Sequence, residues 1–164
     1  MRIGILGLQG GVVEHAGLVK DLGHDPVLIR RPEHMRGLDT LILPGGESTT
    51  LLKLLNLTGL RESLTEAASG LPTLGTCAGL IVLAALGVLD VDVERNAFGP
   101  QVDSASARVE WKGIGLTAAF IRAPAVTRTG AGVRPTSIPP SPGDCHASLE
   151  WSRVPSWPSL TIPS

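Results

Sequence analysis

Three short apolar runs in this chain each lead straight into a glycine-rich loop and then into a segment with helical spacing. Arg2 to Leu8 ends in Gly7-Leu8-Gln9-Gly10-Gly11, Thr40 to Leu43 runs into Pro44-Gly45-Gly46-Glu47-Ser48, and Leu71 to Gly75 opens Gly75-Thr76-Cys77-Ala78-Gly79. Runs this short and this apolar read as buried parallel strands. After the first, Val12, Val13, Ala16, Val19 and Leu22 recur at helical spacing until Gly23 stops the pattern. After the second, Leu51, Leu52, Leu54 and Leu55 build an apolar helical face; a further helix is expected around Arg61 to Ala68, and Ala78 to Ala85 returns to helix. Val27 to Ile29 supplies another strand. Such alternation predicts an α/β fold, a parallel sheet with helices on both faces, and ligands bound at the carboxyl ends of the strands.

The alternation holds to about Ala125, which sets one domain at residues 1–125. From Arg134 onward the composition changes to Pro-Thr-Ser-Ile-Pro-Pro-Ser-Pro-Gly, and seven of the 13 prolines lie after Val133. No helix or central strand is expected at that proline density, so residues 126–164 read as a divergent Pro/Ser-rich tail. Fourteen basic against 15 acidic residues, for a formal charge of −1, argue against a nucleic-acid surface, which needs clustered Lys and Arg. With aromatics at 3% and no Tyr, a base-stacking platform is equally poorly supplied. No apolar run is long enough for a membrane span and no signal-peptide pattern follows Met1, so the chain reads as cytoplasmic. Cys77 and Cys145 are too few for a disulfide framework and lack metal-ligand spacing, so neither a metal nor another cofactor is expected.

Gly75-Thr76-Cys77-Ala78-Gly79 is a G-x-C-x-G sequence between a predicted strand and a predicted helix, the nucleophile-elbow pattern with sulfur in place of oxygen. Small residues two before and two after suit the tight turn. The helix amino terminus favours thiolate, and the Ala78 amide points where an oxyanion would form. A lone Cys in an α/β core is ordinarily an inert packing residue; the elbow context reverses that reading for Cys77. The backbone amides of Pro44-Gly45-Gly46-Glu47-Ser48 could give a second oxyanion donor or hold a carboxylate, while Glu47 and Ser48 could equally just cap the helix. No Gly-Lys-Ser/Thr follows, so this is not a phosphate-binding P-loop.

Five blocks in order carry a resemblance: Gly7-Leu8-Gln9-Gly10, Leu43 to Thr50, Gly75 to Leu80, Val93 to Ser104 and Phe120 to Pro124. Together they resemble the glutaminase subunit of pyridoxal 5′-phosphate synthase over Met1 to about Ala125. The resemblance implies a flavodoxin-like three-layer sandwich with a mainly parallel sheet, as in class I glutamine amidotransferases. It further implies a glutaminase of vitamin B6 biosynthesis that hydrolyses L-glutamine and passes ammonia to a separate synthase subunit. Cys77 would be the nucleophile. Gly46 and Ala78 match the family's oxyanion donors, and Gly46, Glu47, Ser48, Arg95, Ile121 and Arg122 match its glutamine-binding positions. A guanidinium and a nearby carboxylate suit the α-carboxylate and α-ammonium of glutamine; read without the motif, Arg95 and Arg122 are solvated surface charges.

The family supplies a base and its orienter as His-x-Glu, usually in His-Pro-Glu-Leu, and this chain has no such motif. His15, His24 and His34 lie in the amino-terminal part, and His146 is followed by Ala147-Ser148-Leu149-Glu150. The segment between Ala85 and Val88 is also shorter than is usual in the family. Thr161-Ile162-Pro163-Ser164-stop can be written ACC ATC CCG AGC TGA, and reading from the third base gives the codons of His-Pro-Glu-Leu. A reading-frame shift around Thr127 to Arg134 would account for both the composition change and the missing base. Two alternatives accompany the glutaminase: a catalytically impaired partner that docks on the synthase without turning over glutamine, and a glutaminase serving another acceptor.

Overall fold

The computed structural model describes residues 1–97, 105–111, 114–120 and 122–133. Four parallel strands form its sheet: β1 (Arg2–Leu6), β2 (Asp25–Ile29), β3 (Thr40–Leu43) and β4 (Thr73–Gly75), in the order β2-β1-β3-β4. Helix α1 (Val12–Asp21) connects β1 to β2, α2 (Ser48–Leu57) and α3 (Leu60–Gly70) connect β3 to β4, and α4 (Ala78–Ala85) follows β4. A 3-10 turn at Pro32–Met35 lies between β2 and β3. The α/β fold expected from the alternation is the one observed.

Side-chain parity divides the core in two. Ile3 and Ile5 of β1, with Leu28 and Ile42 at the same parity in β2 and β3, meet Val12, Ala16 and Val19 of α1. Leu6, Ile29, Leu41 and Leu43 point the other way, into a larger core with Leu51 and Leu55 of α2, Leu60 and Leu64 of α3, and Leu80 and Leu83 of α4. Successive side chains of a strand alternate faces, so strands that are apolar throughout must be covered twice. The helices therefore lie on both faces, α1 on one and α2 to α4 on the other, making three layers. Val13 and Leu22, grouped by sequence with the inward stripe of α1, instead lie outward, 81% and 63% exposed. The stripe that packs is Val12, Ala16 and Val19, at i, i+4 and i+7, and Val13 is a 100° step away from it.

Beyond α4 the chain makes antiparallel pairs. Strand β5 (Val91–Glu94) pairs with β8 (Ala125–Thr129), and β6 (Ala105–Trp111) pairs with β7 (Ile114–Phe120). The boundary expected after Ala125 falls inside β8. The outer strand β2 contains Pro26, which is tolerated at a sheet edge because an edge residue need not donate to a neighbour on both sides. Of the sequence expectations, those for Ile121, Cys145, His146 and the tail from Arg134 fall outside the described residues. No helix among the described residues is long and apolar enough to cross a membrane, and none of their His, Cys, Asp and Glu side chains cluster in threes as a metal site would need.

Candidate active site

The carboxyl ends of β1, β3 and β4 bring the three glycine-rich loops together. Cys77 is the second of the two residues between β4 and α4, and its φ of 49° and ψ of −108° put a non-glycine residue in a strained conformation. The elbow closes by hydrogen bonds from Thr76 N to Leu43 O (3.0 Å), Gly79 N to Thr76 O (2.8 Å) and Leu80 N to Cys77 O (3.1 Å). Gly79 has to be glycine: a Cβ there would stand 2.0 Å from the Leu43 carbonyl oxygen. Helix α4 thereby rests directly on the end of β3. Cys77 itself is exposed, whereas Ala78 behind it is buried. A thiol held at the start of a helix and open to solvent is placed for nucleophilic attack.

Against the elbow lies the loop after β3. A Cβ at Gly45 would be 3.3 Å from Cys77 Cβ, so the two loops are in contact. The first loop supports the second, since Gly11 N donates to Gly45 O (3.1 Å) and Glu47 N donates to the Gln9 side-chain oxygen (3.0 Å). Gln9 was legible in the sequence only as part of a motif. Its partner follows from the sheet order, because β1 and β3 are neighbours and their loops emerge together.

Glu47 caps α2. Its carboxylate accepts from Thr49 N (3.0 Å), Thr50 N (2.7 Å) and the Thr50 hydroxyl (2.7 Å). These bonds, those from Thr50 foremost, hold the Glu47 pKa down to about 2, against an ordinary 4.5. The charge thus maintained meets Arg95, whose Nη2 lies 3.3 Å from Glu47 Oε1 and donates also to Thr49 Oγ1 (2.9 Å) and to the buried Ser48 Oγ. Of the alternatives the sequence left open for this loop, the structure shows the capping: Glu47 caps α2, while Ser48 is the first residue of that helix and accepts from Arg95. Arg95 follows β5 directly and Arg122 precedes β8. The described non-glycine residues with positive φ are Cys77, Asn96 (55°) and Arg122 (51°), each in the elbow or at this end of the β5 and β8 pair. Strain of this kind gathers at functional sites.

The sequence pattern of the SNO glutamine amidotransferase family matches residues 5–144. The chain belongs to that family. Among SNO-family relatives, the pyridoxal 5′-phosphate synthase subunit PdxT of Geobacillus kaustophilus (strain HTA426) is 47% identical over 145 residues, covering 81% of this chain and 74% of the relative. The subunit of the same name from Corynebacterium jeikeium (strain K411) is 48% identical over 154 residues, covering 85% and 79%. A solved glutamine amidotransferase superposes with a TM-score of 0.75 at 42% identity, covering 80% of this chain and 77% of its own. The SNO amidotransferase fold is thus the setting of the elbow and loops described above.

Proposed function

We propose that this chain is the glutaminase subunit of a pyridoxal 5′-phosphate synthase, releasing ammonia from L-glutamine for a separate synthase subunit in the cytoplasm. The observation that carries the reading is the strained, exposed Cys77 at the start of α4, in contact with the loop whose Glu47 and Ser48 engage Arg95. In this reading Arg95 and Arg122, with Ile121, receive the α-carboxylate end of glutamine and Glu47 the α-ammonium. The Cys77 thiolate attacks the side-chain amide carbon, and the Gly46 and Ala78 amides hold the oxyanion. Collapse breaks the carbon–nitrogen bond; ammonia leaves with the proton the thiol gave up, and a thioester remains. Water then cleaves the thioester to glutamate and returns the proton to sulfur. A thiolate route of this kind draws on no cofactor. The synthase would meet the amino-terminal face, where α1 exposes Val13 and Leu18 and the residue that caps it, Leu22, is also exposed.

The test is ammonia release from glutamine by the chain mixed with its synthase subunit. Release that requires Cys77, and is lost in Cys77→Ala, is the expected result; release unchanged by that substitution would overturn the assignment.

A second reading, the docking partner with impaired turnover, is favoured by one specific observation. None of His15, His24, His34 and His146 is followed two residues later by Glu. His15 Nδ1 is instead 2.6 Å from Gly11 O, and His34 Nδ1 accepts from Arg30 N at 3.2 Å. A thiol without a base loses general acid–base catalysis, worth on the order of a hundred- to ten-thousand-fold. A chain whose tail is restored in the His-Pro-Glu frame should therefore turn over glutamine at least about a hundredfold faster. Equal rates, with loss of activity in His146→Ala, would make His146 the base and remove the frame-shift argument.

A further inference from the structure

The pair of strands β5 and β8 carries charge at both ends. At one end Glu94 is opposite Ala125, so the segments leaving the pair there bear Arg95 and Asn96 on one side and Arg122 on the other. Asn96 and Arg122 both have left-handed backbones, a conformation that persists only where the surroundings over-determine it. At the other end Arg128 makes a two-pronged contact with Asp92, Nε to Oδ2 at 2.8 Å and Nη2 to Oδ1 at 3.1 Å, while Nη2 also reaches Asp90 Oδ1 at 2.7 Å. A planar guanidinium fork fixes direction as well as distance, which a single-point ammonium does not.

Between these ends the register shifts. Asp92 is opposite Arg128 but Val93 is opposite Val126, so Thr127 is an extra residue in β8, and its hydroxyl donates to Asp92 O at 3.3 Å. A bulge re-aims the strand beyond it, and short antiparallel pairs with polar faces are prone to slip. A slip of one residue would carry Arg122 along relative to Arg95. The chain is also closed tightly next to the clasp: Gly130 N donates to Asp90 O at 2.8 Å, and a Cβ at Gly130 would stand 1.7 Å from Asp90 Oδ2. Hydrogen bonding to Arg128 lowers the Asp92 pKa, in keeping with a maintained ion pair.

We propose that Arg128 is a positioning residue for glutamine binding: by clamping Asp90 and Asp92 it fixes the bulged register of β5 and β8, and so the placement of Arg95 and Arg122 at their far end. The proposal rests on the glutaminase reading. Its test is calorimetric titration of glutamine into the full chain and into Arg128→Ala, Arg128→Lys and Arg95→Ala variants. Arg128→Ala should weaken binding by about three- to tenfold, and Arg128→Lys, which keeps the charge without the fork, should recover part of the loss. Alkylation of Cys77 by iodoacetamide should proceed at an unchanged rate, which loss of the fold would not allow. If Arg128→Ala fails to fold, Asp92→Asn takes its place and should weaken binding in the same direction. Affinity within twofold of the parent in whichever variant folds overturns the proposal. If Arg95→Ala loses glutamine while Arg128→Ala keeps it, the positioning role falls and the glutaminase reading stands; if the parent chain binds no glutamine, both fall.

Discussion

The two halves of the candidate site are held by different physics. Around Cys77 the elbow is fixed by backbone hydrogen bonds and by the close approach of Gly79 to Leu43, with the buried Leu80, Val82 and Leu83 of α4 behind it. In the β5 and β8 half the holding groups are mostly exposed side chains: Glu47 and Thr49 against Arg95 at one end of the pair, and Asp90 and Asp92 against Arg128 at the other. Packing of the first kind is insensitive to pH and salt, and small changes of volume disrupt it. Exposed ion pairs of the second kind contribute little to folding and depend on protonation and ionic strength. Under the proposed glutaminase function, reactivity would sit on the rigid half, and substrate recognition on the half that conditions can tune.

The sharpest way to break this contrast is Gly79→Ala. The added carbon would meet the Leu43 carbonyl, and denaturant unfolding should show a loss of about 3 kcal/mol or more. A tolerated alanine would mean the elbow is not pinned as described. On the polar half, Arg95→Ala should leave unfolding nearly unchanged while weakening glutamine binding by about 1.5–3 kcal/mol, the range of a charge-assisted hydrogen bond. Unaltered calorimetric affinity would return Arg95 to the surface. Smaller again is the strain at Cys77. Cys77→Gly should be about 1 kcal/mol more stable than Cys77→Ala, since glycine accepts the φ of 49° and alanine does not. Equal stability of the two variants would show that the backbone relaxes there.

The smallest effect expected is a pH dependence. Because the Glu47 pKa is lowered from 4.5 to about 2, the folded state binds its proton less readily than the unfolded chain does. Stabilisation from the cap is therefore complete above the ordinary value and is lost as pH falls from about 4.5 towards 2. Glu47→Gln should flatten the decline in stability over that window, as followed by circular dichroism. A decline of the same steepness in the variant would assign the acid sensitivity to other carboxylates.

Legibility from sequence follows the same division. The apolar strands and the elbow could be read because the parallel sheet is buried on both faces and its strands are continuous apolar runs. Helix α4 spans Ala78–Ala85 as its pattern indicates. Strands β5 to β8 did not stand out, since β5 and β8 mix Asp, Glu, Arg and Thr with their apolar residues and pair across more than thirty positions of sequence. Composition alone gives no register for such a pair. For the same reason Arg128, Asp90 and Asp92 carried no signal. Arg95 was found by its motif, but its hydroxyl partners Ser48 and Thr49 needed the α2 amino terminus to be placed beside the end of β5.

Pro26 has a consequence outside catalysis. Among the described residues β2 is an outer strand of the sheet, and an outer strand is a template on which a second chain can add. A proline at the second of its five residues removes one of the donors such an addition would use. β2 therefore carries its own guard against strand-to-strand association: crowded copies of this protein have little to gain by joining there, and Pro26→Val should make that edge adhesive.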